Sequence, residues 1–144
     1  MAVTYTNHWK NVADKLQNLF RVEFGASLPI YIGEGEYTNS QFIKILPSSN
    51  SIVEKYNKAE MRTFSFIFSY NSIEPNVKEG GLTNVLRVLS RIESLIGNNQ
   101  TLTLADSSVV LNGILESYNF ADPGEIYKYI VEMDYICNHI GDLS

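Results

Sequence analysis

Cys137 and His139 stand two residues apart near the end of the chain, and Glu132 and Asp134 do the same a few residues earlier. On a strand, side chains at i and i+2 share a face. Each pair could therefore act together. A thiol beside an imidazole is the start of a cysteine nucleophile, but no oxyanion donor or third member accompanies this one. Cys137 reads better as a small buried apolar side chain. The same C-x-H pair would hold zinc only with two further ligands, and the sequence points to none. His8 lies at the other end of the chain, in the opening turn of a helix, where a surface role is expected. Glu132 and Asp134 have the chemistry for acid–base work; the ordinary reading is a solvated or inter-subunit charged face.

Other motifs fall short in definable ways. Gly33-Glu34-Gly35 is too short for a nucleotide loop, and Gly80-Gly81 lacks the Lys-Ser/Thr of a phosphate cradle. There is no G-x-S-x-G elbow. Phe64, Phe66 and Phe68 could stack on bases, but Arg62 is the single cation among them. The expectation is a protein with no catalytic residue, no cofactor and no metal, hence not an enzyme.

The elements that would carry these residues read as follows. Thr6 or Asn7 caps a helix running to Phe24, with Trp9, Val12, Ala13, Leu16, Leu19 and Phe20 on one face and Gly25 as its stop. Short strands follow at Leu28–Ile32 and Gln41–Leu46, the second ended by Pro47. The Ser/Asn-rich stretch 47–58 reads as a mobile loop, with Ser49, Val53 and Tyr56 as candidate partner contacts. Met61–Tyr70 is a strand with Arg62, Phe64, Phe66, Phe68 and Tyr70 on one face, expected to floor the helix that follows. In that helix Leu82, Val85, Leu86, Leu89, Ile92 and Ile96 share a face, Gly80-Gly81 precede it, and Gly97 offers a left-handed stop. Two long strands, Ser108–Phe120 and Ile126–Asn138, pair through the turn Ala121-Asp122-Pro123-Gly124. On the last, Tyr127, Tyr129, Val131, Met133, Tyr135 and Cys137 share one face. Lys128, Ile130, Glu132, Asp134 and Ile136 share the other, a mixture that suits a subunit contact or a charge-protected edge.

The order α-β-β-β-α-β-β is that of a single α+β domain over residues 1–144, helices packed on an antiparallel or mixed sheet. With 144 residues, 44% of them hydrophobic and 19% charged, the chain can bury a sizeable core. The formal net charge is −5, with no long basic run, which argues against tight binding to phosphates. One cysteine gives no internal disulfide, no apolar run approaches the roughly 20 residues of a membrane span, and the first residues lack a signal-peptide pattern. The expectation is an intracellular product with no membrane partner. Nine Tyr and seven Phe suit half-buried strands and protein interfaces alike.

Taken together, the amphipathic first helix, Leu28-Pro29-Ile30-Tyr31-Ile32, Phe42-Ile43-Lys44-Ile45, the aromatic strand Arg62–Tyr70, the helix Asn84–Glu93 and the closing strand Tyr129–Tyr135 resemble the phage tail terminator (tail completion) family in order, lengths and texture. The resemblance implies a structural virion protein, made in the host cytoplasm and placed at the tail–neck junction. It implies a homo-oligomeric ring, commonly of six copies, that caps the tail tube, meets the head connector, and lets DNA pass through its pore without binding it. A neck or connector adaptor, or another small tail-end protein, is the alternative of the same kind, and a ferredoxin-like nucleic-acid-binding module the alternative of another.

Overall fold

Asn7 opens the first helix: its side-chain oxygen accepts from the backbone N–H of Lys10 at 3.0 Å, satisfying one of the donors a helix start leaves free. The computed structural model describes residues 7–33, 40–55, 59–73, 79–121 and 128–142. Helix α1 spans His8–Phe24, and Gly25 ends it with φ at 63°, a conformation glycine takes without strain. A single 3-10 turn, Gly25–Ser27, leads to β1, Ile30–Ile32. There follow β2 (Gln41–Lys55), β3 (Ala59–Ile73), α2 (Glu79–Gly97), β4 (Leu102–Thr103), β5 (Val109–Ala121) and β6 (Lys128–Asp142). The α+β class stands; β4, too short to leave a periodic signal, adds one strand to the expected order.

The strands form one six-stranded sheet in the order β1-β2-β3-β6-β5-β4, parallel at β1–β2 and antiparallel elsewhere. Both helices lie on one face of it. Phe64, Phe66, Phe68 and Tyr70 from β3 meet Val131, Met133, Tyr135 and Cys137 from β6 there, all at most 1% exposed. The aromatic row floors α1 rather than α2: Trp9 packs edge-on against Phe64 and Phe66, and Phe20 against Phe68. The helix that follows β3 in the chain instead reaches β5, where the Glu93 carboxylate and burial both push Tyr118 above its ordinary pKa, burial the more. Arg91 ties the helices together, 2.8 Å from the Glu23 carboxylate with its guanidinium over the Phe24 ring.

Four other expectations change. β2 does not stop at Pro47 but runs to Lys55 along β3, so residues 47–55 are strand rather than loop; Tyr56 lies outside the described residues. Pro47 is tolerated because β1 ends opposite Ile45, leaving β2 as the sheet's edge, and a bulge follows at once. The core side of α2 is Val85, Leu89, Ile92 and Ile96, while Leu82 and Leu86 remain 43% and 47% exposed. Gly80 and Gly81 fall inside α2, and Gly97 is its last residue without a positive φ. The expected turn at 122–124 lies outside the described residues.

Candidate interaction face

The second face of the sheet is built by the alternate residues of the same strands, and among the described residues no helix lies on it. Register places them in rows across β2, β3, β6 and β5. Phe42, Asn71, Ile130 and Ala121 form one row, then Lys44, Ser69, Glu132 and Asn119. Next come Leu46, Ile67, Asp134 and Ser117, then Ser49, Ser65, Ile136 and Ile114. The candidates Ile130, Glu132, Asp134, Ile136 and Ser49 therefore share this face, and Lys128, opposite Ile73, stands at its end. Val53 sits in a bulge of β2 with no partner on β3 and is half-exposed.

β6 pairs with β3 on one side and β5 on the other, so its mixed face is not the charge protection of an edge strand. Polar groups are spent locally: the Ser117 hydroxyl donates to Asp134 at 2.7 Å, Thr63 to Asn138 at 3.0 Å, and the Asn71 amide to Ser69. Ile114, opposite Ile136, and Ile140, farther along β6, stay 45% and 40% exposed, and Glu132 and Asp134 are exposed as well. On the helix-covered side, an apolar groove of about 740 Å³ lined by Trp9, Ala13, Ile32, Ile45, Pro47 and Phe66 opens beside the β2 edge.

The candidates for chemistry come out differently. Cys137 is buried, and burial pushes its thiol up to about 12, so it is a thiol rather than a nucleophilic thiolate. His139 shares its face but bonds elsewhere: Nε2 lies 2.9 Å from the Ser108 hydroxyl, whose own partner is Asp106 Oδ1 at 2.5 Å. An ionised Asp106 only accepts, so the one hydroxyl proton of Ser108 goes to it and His139 must donate from Nε2. A serine nucleophile needs the opposite polarity, with histidine accepting and the carboxylate behind the histidine. Ser, His and Asp are all present; the relay runs backwards. Sequence reading missed this corner because its parts lie at Asp106, Ser108 and His139, and because His8, expected at the surface, is half-buried with its ring 4.8 Å from that of His139.

Among the described residues no three His, Cys, Asp or Glu side chains are grouped to hold a metal ion. Phe64, Phe66 and Phe68 are sealed beneath α1 and offer no face to a base. No described helix is long and apolar enough to cross a membrane. The chain matches no protein-family model, and no characterised protein sequence matches it as a relative.

Proposed function

We propose that this protein is a structural, non-enzymatic subunit that binds copies of itself through the helix-free face of its sheet, closing a ring of the tail-terminator kind. The ring caps a phage tail tube and joins it to the head connector. The observation that carries this reading is the mixed apolar and acidic face of β6 at the centre of the sheet, where protection of an edge does not explain it. A ring closes through heterologous contacts, one patch of each subunit on a different patch of the next; the half-exposed Val53 bulge and the helix-side groove supply surfaces unlike the β6 face. The net charge of −5 fits a pore that passes DNA without holding it.

The test is negative-stain imaging of the purified protein alone and after mixing with purified phage tail tubes. Rings with a central hole, seated on one tube end, are expected. Rings that bind an isolated head connector but not the tube would reassign the protein to the neck. Absence of both rings and tube binding would end the structural reading.

A further inference from the structure

Six side chains from four separated stretches meet over one end of the sheet. His8 comes from the first turn of α1, His139 from the end of β6, Asp106 and Ser108 from the β4–β5 turn, and Glu60 and Arg62 from the start of β3. The two imidazole rings lie 4.8 Å apart, tilted by 51°, and the edge of Phe64 closes on His139. His139 is 1% exposed. Gly141 lets both rings settle there, since a Cβ on it would come within 2.6 Å of His139 Cε1 and 3.0 Å of His8 Cε1.

Asp106 stitches the corner together. Its Oδ1 accepts from the Ser108 hydroxyl and the Ser108 backbone N–H, and its Oδ2 accepts from the Asn11 amide of α1 at 3.4 Å and lies 3.9 Å from His8 Nδ1. Through Ser108 the same carboxylate reaches His139. The start of α1 is thereby held to β6 by a chain in which His139 donates from Nε2. Every group facing His139 has a fixed sense: His8 opposes charge on it, Asp106 and Glu60 favour it, and Arg62 is engaged with Glu60 and Asn50.

We propose that this corner is an acid-operated latch: protonation of His139, packed against His8, releases the first turn of α1, with Trp9, from the end of the sheet while the rest of the domain stays folded. A proton on His139 places charge on a ring that is 1% exposed and packed 4.8 Å from His8. Lifting one helical turn hydrates both rings and gives up the contacts of Trp9 with Phe64 and Phe66; helix ends open at lower free energy than cores.

The direction with pH follows from linkage. Burial first, and then His8, hold the His139 pKa below its ordinary 6.5, so a released ring binds a proton more readily than the latched one. The latch is therefore firm above about pH 6.5 and weakens as pH falls below it, by up to about tenfold per pH unit for the proton that His139 takes up. Asp106 does not confuse the window: its bond from Ser108 keeps it charged well below that range.

Trp9 is the only tryptophan of the chain and packs on Phe64 and Phe66, so its emission reports the turn directly. Emission and far-UV circular dichroism are recorded on the same samples from pH 8 to 4.5. A red shift of Trp9 with its midpoint below pH 6.5, at unchanged circular dichroism, is expected, and His139→Gln should abolish it or move it by at least a pH unit. Should His139→Gln fail to fold, His8→Gln carries the same expectation. An emission that stays flat until circular dichroism collapses, or an identical step in the folded variants, overturns the latch.

Discussion

The two faces of β3 and β6 are made by the same strands one residue out of step, yet they end in opposite conditions. On one, Phe64, Phe66, Phe68, Val131, Met133, Tyr135 and Cys137 are sealed by helices. On the other, which no described helix covers, Glu132 and Asp134 are exposed and Ser65, Ile67 and Ile136 half-buried, while Ser69 and Asn71 at one end are buried. Covering is decided by side-chain size and polarity along the strand: an unbroken aromatic and aliphatic series gains enough from leaving water to hold a helix, whereas a series interrupted by Ser, Glu and Asp does not. The second face keeps apolar residues that a merely solvated surface would not require. That contrast is the basis for the proposal that this second face serves assembly.

Substitutions break the comparison in graded ways. The largest loss is expected from Phe66→Ala, which opens a cavity under Trp9; unfolding in urea should show about 3–5 kcal/mol of destabilisation. Gly113→Ala comes next, because a Cβ there would run into the Tyr135 hydroxyl from the bulge of β5, and about 1–3 kcal/mol should be lost in the same assay. Arg91→Ala removes an exposed ion pair and the contact with Phe24, and about 0.5–1 kcal/mol should go, less of it at high salt. Ile136→Lys on the helix-free face should change monomer stability least, by about 0.5 kcal/mol or less, while disabling assembly. An Ile136→Lys protein that melts far below the wild type would show that this face, too, serves the fold.

Much of this was legible beforehand, and the parts that were not share a cause. The Asn7 cap, the spacing in α1 and the alternation in β3 and β6 are local signals, read directly from neighbouring residues. β2 beyond Pro47 carries Ser, Ser, Asn and Ser, residues with little strand preference, and is held extended by its ladder to β3. Which helix covers the Phe row depends on packing, not on chain order, so the neighbour in sequence was the wrong choice. The candidates Ile130, Glu132, Asp134 and Ile136 were grouped correctly because period two is enough to group them. The His8–His139 corner was invisible: 130 residues separate its two rings, and only the closing strand brings them together.

The central claim is that the helix-free face joins subunits. The most direct measurement is the solution mass of wild type and Ile136→Lys across one concentration series. The account predicts a wild type that rises to a discrete multiple of the chain mass and a variant that remains a folded monomer. A wild type that stays monomeric throughout, or a variant that assembles equally well, would contradict it.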